Sequence, residues 1–444
     1  MTVKAAIVTL GCPKNQVDSE VMAGILGGEY ELTDQPAEAE VILVNTCTFI
    51  DQAKEESIDT ILEMARYKEE GRCKTLLACG CLAQRYKEKL MDEIPEIDGI
   101  FGTGGVAEVR QWVAEARRAR GPFPREGRPV CRYPEDVGRR RSGPRHWAYV
   151  KVAEGCDNAC TYCVIPQVRG PYRSRTEEAV LAEVRRLAAE GVKEVILVAQ
   201  DTSRYGWDLC GELRLPVLIR KIAGVEGIRW IRLMYCYPDL VTDELIDTMR
   251  QEAKVCRYLD LPLQHASDKV LREMNRRGTC AGSKELIGKL RQALPDIRIR
   301  TTLITGFPGE SEEEFEQLLH FVQETEFDRL GVFAYSREES TTAARRSDQV
   351  PPEIAEARRD RVMALQQEVA LRRQGRWVGR TLRVLLEELL PDGRWLGRTE
   401  GDAPEIDGQV YVENKTTRCL CPGDFVAVKV LEADSYDLTG EVVL

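Results

Sequence analysis

No apolar run in this 444-residue chain approaches the roughly 18 residues that a membrane span requires, which points to a soluble protein. Histidine is nearly missing as well: there are three, none paired beside a cysteine, so closed zinc sites lack half their usual ligands. Positive charge is in deficit. The 63 Lys and Arg against 73 Asp and Glu leave a net charge of −10, which is no footprint for a nucleic-acid binder and leans toward a basic partner. The opening MTVKAAIVTLGC is apolar but too short and too soon interrupted for a signal peptide, so it reads as the first strand of a cytoplasmic protein. Cysteine, by contrast, is plentiful. The 15 present are too sparse for a disulfide-stapled secreted domain and suit a reducing compartment and metal ligation.

Six of these cysteines fall into two sets of three. Cys156, Cys160 and Cys163 form the run EGCDNACTYC, a C-x3-C-x2-C spacing with Tyr162 before the last cysteine. Random placement gives such a triplet about 0.02 times per chain. Cys12 (TLGCPKN), Cys47 (VNTCTF) and Cys81 (CGCLAQ) form a dispersed set. A [4Fe-4S] cluster usually takes four thiolates, so one held by three keeps an iron open to an outside ligand, and that iron is a reaction site. The competing readings are a structural zinc at the Cys160–Cys163 half-site, which then lacks two ligands, and ordinary buried cysteines for the dispersed set.

Residues 1–118 alternate β-branched runs (3–10, 41–46, 74–79) with helical stretches such as 51–70, the pattern of a parallel α/β sheet domain. Cys12, Cys47 and Cys81 each follow the carboxyl end of one of these strands, the edge at which open α/β sheets bind ligands. Cys79 competes with Cys81 for the third place. Gly80 ends the strand between them, and the residue beyond it is freer to turn toward the edge. Residues 119–145 are rich in Pro, Gly and Arg without apolar periodicity and read as a linker; their Arg-rich pieces are the one place where RNA contact is expected.

Residues 146–375 repeat the alternation, with candidate strands at 147–154, 194–200, 230–236, 258–263, 298–305 and 329–335. Six such units curl the same way into an open (β/α)6 barrel, and the cysteine loop directly follows the first strand, at the edge where barrel active sites lie. Gln264, Thr302 and Gly306 belong to later strands and loops of that edge. His265 beside them reads as an acid–base group or as a hydrogen-bonded strand-end histidine. A helix over 351–374 carries an apolar stripe at Ile354, Met363, Leu365, Val369 and Leu371. From 376 to 444, short alternating runs punctuated by DG, PGD and DAPEIDG indicate a small antiparallel β-barrel. Its 13 acidic against 8 basic side chains suit a basic protein surface, with Glu400, Asp402, Glu405 and Asp407 as the expected contact; Cys419 and Cys421 read as structural.

The tight triplet resembles that of radical S-adenosylmethionine enzymes. The order of the three blocks resembles the methylthiotransferases of that superfamily over essentially the whole chain, and the last block looks like a TRAM domain. GCPKNQVDSE at 11–20, LPLQHASDKVLREMNRR at 261–277, ITGFPGESEEEF at 304–315 and RTEGDAPEIDGQVYV at 398–412 are similar to the branch that acts on a ribosomal protein rather than on tRNA. The resemblance implies a [4Fe-4S] cluster on Cys156, Cys160 and Cys163 that binds S-adenosylmethionine, with Tyr162 against the adenine and Gln264, Thr302 and Gly306 as further cofactor contacts. It implies a second [4Fe-4S] cluster on Cys12, Cys47 and Cys81 that holds or donates sulfur. An electron donor and a sulfur donor are the implied partners. The implied substrate is an aspartate of the basic twelfth small-subunit ribosomal protein, whose β-carbon exchanges a hydrogen for SCH3. A tRNA methylthiotransferase and a noncatalytic two-cluster electron carrier are the alternatives.

Overall fold

The computed structural model describes residues 2–118, 123–124, 133–135 and 137–443. In the first block, strands β1 (Lys4–Thr9), β2 (Glu31–Leu32), β3 (Val41–Thr46), β4 (Thr75–Cys79), β5 (Gly99–Ile100) and β6 (Phe123–Pro124) pair in the order β2-β1-β3-β4-β5-β6. Every pair is parallel. β3 is buried along its whole length, as a central strand covered on both faces must be. Helices α1 (Pro13–Leu26) and α4 (Val109–Arg118) pack over Ala5, Leu43 and Leu77 on one face. On the other, α2 (Asp51–Arg66) and α3 (Gly80–Glu93) cover Ala6, Val44 and Ala78. Only three of the strands are visible in the sequence, because the other three are two residues long and carry no apolar period.

The second block holds β7 (Trp147–Lys151), β8 (Ala153–Glu154), β9 (Arg173–Ser174), β10 (Glu194–Val198), β11 (Trp230–Leu233), β12 (Val255–Gln264), β13 (Arg298–Thr305) and β14 (Arg329–Ala334). β7 and β10 to β14 form one parallel sheet in chain order, open between β7 and β14. This is the expected six-unit open barrel. The strand expected at 147–154 breaks at Val152, and its last two residues pair antiparallel with β9 to form a ribbon at the mouth. The helix Pro352–Gly375 buttresses β13 and β14 through part of the expected stripe: Val369 is buried and Met363 and Leu365 pack against the barrel core, beside Val362. Ile354 and Leu371 are 43% and 49% exposed, whereas Arg358 and Arg373 are buried. Arg358 pairs with Glu310 at 2.8 Å and Arg373 with Asp328 at 2.8 Å, so buried ion pairs seat this helix together with its apolar residues.

The last block closes into a barrel of β15 (Thr381–Leu389), β16 (Trp395–Thr399), β17 (Val410–Glu413), β19 (Leu438–Val443) and β18 (Phe425–Ala433), paired in that order. All its pairs are antiparallel except β17 with β19. Five strands in a closed ring cannot alternate direction throughout, so one parallel pair is unavoidable. Of the four acids expected as a contact surface, Asp402 and Asp407 turn their carboxylates inward, Glu400 is half-buried and Glu405 alone is exposed. Asp402 is 1% exposed and accepts both Arg298 Nη1 at 2.8 Å and Arg329 Nη2 at 2.5 Å. Asp407 accepts Arg300 Nη1 and the Tyr258 hydroxyl, each at 2.8 Å. Glu400 accepts the Arg257 backbone N–H at 3.0 Å, and Glu405 the Tyr149 hydroxyl at 3.1 Å. The run TEGDAPEID is therefore a plug in the amino-terminal end of the larger barrel. The charges of Asp402 and Asp407 are spent on barrel arginines, which a count of acids in the sequence cannot reveal.

The linker expected at 119–145 lies largely outside the described residues. Within the described part, Gly138 presses its carbonyl against α1 at Gly24, where an added Cβ would sit 1.9 Å from that oxygen. Arg139 bridges Glu20 and Glu183, and Arg141 donates to the Trp147 carbonyl at 2.8 Å. These arginines strap the first block to the second and are not free for another partner; Arg140 and Arg145 are exposed.

Candidate active site

The first block spans the mouth of the open barrel from edge to edge. On the β7 side, Asp18 of α1 pairs with Lys151 and, at 2.7 Å, with Arg169. On the β14 side, Glu338 pairs with Lys54 at 3.0 Å and with Arg85 at 2.6 Å, while Phe49 meets Phe333 edge to face at 6.4 Å. This docking sets the carboxyl edge of one sheet against the carboxyl edge of the other.

Each dispersed cysteine is placed by its own strand end. Cys12 is the N-cap of α1, and Gly11 before it has φ +84°; a Cβ there would meet Cys47 Sγ at 2.8 Å, so only glycine lets the two loops pass. Cys47 follows β3, and Cys81 sits in the first turn of α3. Asn15 ties the three loops together. Its Nδ2 donates to the Leu10 and Thr46 carbonyls at 2.8 and 3.0 Å, and its Oδ1 lies 3.8 Å from Cys81 Sγ. Cys79 points elsewhere, into the apolar layer with Leu43, Leu77 and Phe101.

The electrostatics suit sulfur that must become anionic. Burial pushes the Cys81 thiol up to about 12, opposed by Arg169, whose Nε donates to Cys81 Sγ at 3.3 Å. Burial raises Cys12 too, but Lys14 and Arg169 outweigh it and the thiol ends below its ordinary value. Cys12 and Cys81 also stand at helix N-termini, where the dipole favours a thiolate.

The tight triplet lies on the loop after β8. Gly155 at φ +82° starts it, because a Cβ there would strike the Pro171 carbonyl at 2.1 Å. Backbone bonds fix the loop: Cys156 N–H to Gly170 O at 3.1 Å and Thr161 N–H to Met274 O at 3.0 Å. The Asn158 and Ile165 amides each donate toward a cysteine sulfur, those of Cys156 and Cys163, at 3.4 Å. Burial lifts Cys156 to about 11 and Cys163 to about 12. Cys160 Sγ lies 3.9 Å from the Tyr237 hydroxyl, over whose ring Arg276 stacks at 3.8 Å.

Among the described residues no three His, Cys, Asp or Glu side chains are grouped to hold a single metal ion. A cluster makes a different demand, since each thiolate takes its own iron. Three sulfurs with N–H donors aimed at them, a cation and an apolar surround fit that demand at both sets, and the two sets are neighbours. Cys81 packs with Val164 and Val168, the residues that follow Cys163.

The other expected residues divide. Tyr162 packs with Met274, Phe307 and Ile304 at the mouth. Thr302 shares its strand face with Arg300 and Ile304 and lines the barrel interior, since Ile299 and Leu303 fill the opposite layer. Gln264 ends β12 at φ +74°, a strained conformation for a non-glycine residue and a mark of functional sites. Gly306 has a structural reason to be glycine: a Cβ would lie 2.2 Å from Ala355 Cβ on the buttressing helix. His265 is a strand-end histidine held on both sides, accepting the Ser267 N–H at Nδ1 (3.0 Å) with Nε2 3.3 Å from Glu310. Residues that sequence reasoning passed over include Lys14, Asn15, Asp18, Glu154 and Arg169. The first two stand inside GCPKN beside Cys12, and Arg169 in PQVRGPY just beyond the tight triplet. Glu154, pulled down to about 2 against its burial by Arg169 and Lys151, completes a buried network between the two blocks.

Comparison with known proteins covers nearly the whole chain. Residues 4–102 match Uncharacterized protein family UPF0004, 150–322 the Radical SAM superfamily and 378–443 the TRAM domain. The ribosomal protein uS12 methylthiotransferase RimO of Desulfitobacterium hafniense (strain Y51) is 62% identical over 99% of this chain and 98% of its own length. That of Heliobacterium modesticaldum (strain ATCC 51547 / Ice1) is 50% identical over 100% of this chain and 96% of its own. Among solved structures, the radical S-adenosylmethionine methyltransferase TsrM from Kitasatospora setae shares the fold, with a TM-score of 0.53 at 16% identity, covering 75% of this chain and 73% of that one.

Proposed function

The chain belongs to the RimO family of radical S-adenosylmethionine methylthiotransferases, and from that membership we propose that it replaces a hydrogen on the β-carbon of an aspartate in ribosomal protein uS12 with a methylthio group. The family carries a [4Fe-4S] cluster and S-adenosylmethionine. We assign that cluster to Cys156, Cys160 and Cys163, and a second [4Fe-4S] cluster to Cys12, Cys47 and Cys81. When bound, the first with its S-adenosylmethionine supplies the radical that breaks an unactivated C–H bond, and the second supplies the sulfur. Tyr162, Gln264, Thr302 and the Gly306 backbone line the cofactor's edge of the mouth. The Asn158 and Ile165 amides hold thiolate charge at one set, and Arg169 does so at the other.

One observation carries this reading: the two triplets face each other across a single mouth, joined by Arg169 and by the packing of Cys81 on Val164 and Val168. Sulfur inserted where a hydrogen is removed needs both at one carbon. We place the reaction in the cytoplasm, with an electron donor and a sulfur donor as further partners and RNA contact restricted to the basic linker 119–145, of whose described arginines Arg140 and Arg145 are exposed. No helix among the described residues is long and apolar enough to cross a membrane. Mass spectrometry of uS12 and of tRNA from cells with and without the gene tests the reading. A gain of one SCH2 on uS12 that disappears with the gene is expected; the same gain on tRNA, with uS12 unchanged, overturns it.

A further inference from the structure

Lys14 is buried, at 7% exposure, two residues beyond Cys12 on α1. Every other buried lysine or arginine among the described residues has a carboxylate within ion-pairing distance: Lys151 and Arg169 have Asp18 and Glu154, Arg298 and Arg329 have Asp402, Arg232 and Arg398 have Glu194, and Arg175, Arg358 and Arg373 have Glu183, Glu310 and Asp328. Lys14 has none. Its Nζ sits 3.4 Å from the centroid of the Tyr235 ring, at the carboxyl end of β11. A cation over an aromatic face is worth far less than the cost of burying an ammonium without a counter-charge.

The barrel holds this arrangement under strain. Tyr235 is fixed at φ +58°, a left-handed conformation costly for an aromatic residue, and its backbone N–H is pinned to Asp260 at 3.0 Å. Asp260 lies beyond ion-pairing distance of Lys14, and the cation it pairs with is Arg300 at 3.8 Å. The strained backbone thus brings an aromatic wall beneath a charge that lacks a carboxylate. The ammonium lies between Cys12 on one side and the barrel mouth on the other.

Building on the uS12 reading above, we propose that Lys14 is the substrate-recognition residue of the site: its ammonium pairs with the side-chain carboxylate of the target aspartate. The carboxylate is bonded directly to the β-carbon, so fixing one fixes the other between the two cysteine sets. The pairing also explains how a chain of net charge −10 whose acidic plug is internal selects one acid in a basic protein. The ion pair, not a complementary surface, reads the residue, and a neutral amide in its place leaves the ammonium unpaired.

The test uses the reconstituted full-length protein, purified uS12, and a uS12 variant carrying asparagine at the target position. Binding is measured for wild type, Lys14→Met and Lys14→Gln, alongside iron content and the spectroscopic signature of each cluster. In wild type, asparagine is expected to weaken binding about 100-fold; in both Lys14 variants the aspartate and asparagine forms should bind within about 3-fold of each other, with both clusters retained. An undiminished preference for aspartate in the variants overturns the inference. So does loss of the Cys12 cluster in both, which makes Lys14 a counter-charge for sulfur instead. If wild type itself methylthiolates tRNA and not uS12, it is the proposed function that fails.

Discussion

At the amino-terminal end of the barrel, Arg232 and Arg398 share Glu194, Arg298 and Arg329 share Asp402, and Tyr149 and Tyr258 bond to Glu405 and Asp407. At the carboxyl end the pairing is incomplete. Lys14 has no carboxylate, Arg169 keeps its Nε for a sulfur while its Nη1 pairs with Asp18 and Glu154, and Tyr235 and Gln264 occupy left-handed backbone. The same strands run through both ends. One end is saturated by the TRAM plug and stabilises the barrel; the other keeps charge and strain for chemistry, the usual division in βα barrels.

The largest expected effects lie at the open end. Replacing Cys160 with Ala is expected to abolish 5′-deoxyadenosine formation and to remove roughly half the iron, because the other set sits on its own domain. Loss of all the iron, measured after anaerobic reconstitution, means that the two sets do not load independently. Cys47→Ala is expected to retain 5′-deoxyadenosine formation yet yield no methylthiolated uS12. Product at the wild-type rate removes the sulfur role from the dispersed set.

At the closed end the expected effect is on stability. Asp402→Ala strands Arg298 and Arg329 in the interior and should cost about 3–5 kcal/mol, read from denaturant unfolding. An unchanged unfolding midpoint contradicts the plug. For the same reason, deletion of 376–444 is expected to destabilise the barrel rather than leave an intact catalytic core. The ion pair carries a pH signature. Burial raises the Asp402 carboxyl, but Arg298 and Arg329 more than reverse this and hold it well below the usual carboxylate range. A depressed folded value means that the stabilisation is complete above the unfolded value of about 3.9 and fades as the pH falls below it. The wild-type protein should therefore lose stability through that window more steeply than Asp402→Asn. The smallest effect is expected for Glu400→Gln, within about 0.5 kcal/mol, since an amide oxygen still accepts the Arg257 N–H. A larger loss there indicates that Glu400 acts through its charge.

Much of this architecture is legible in the residues alone. Alternating runs mark the two parallel sheets, and Gly80 separates Cys81 from Cys79, which the fold buries in the core. The apolar stripe on the last barrel helix holds at Met363, Leu365 and Val369 but misleads at Ile354 and Leu371, while Arg358 and Arg373 bury themselves through Glu310 and Asp328, partners remote in sequence. The acids of TEGDAPEID mislead for the same reason: an internal ion pair and a solvated charge have identical local sequence.

The sequence by itself determined the family and its chemistry, since cysteine spacing and strand periodicity are local properties and each strand end carries its cysteine with it. Which charges are satisfied and which are left open was decided only by the tertiary structure. Lys14 meets Tyr235, and Asp402 meets Arg298 and Arg329, across separations that no local pattern encodes. A charge's free energy depends on the partner that burial gives it.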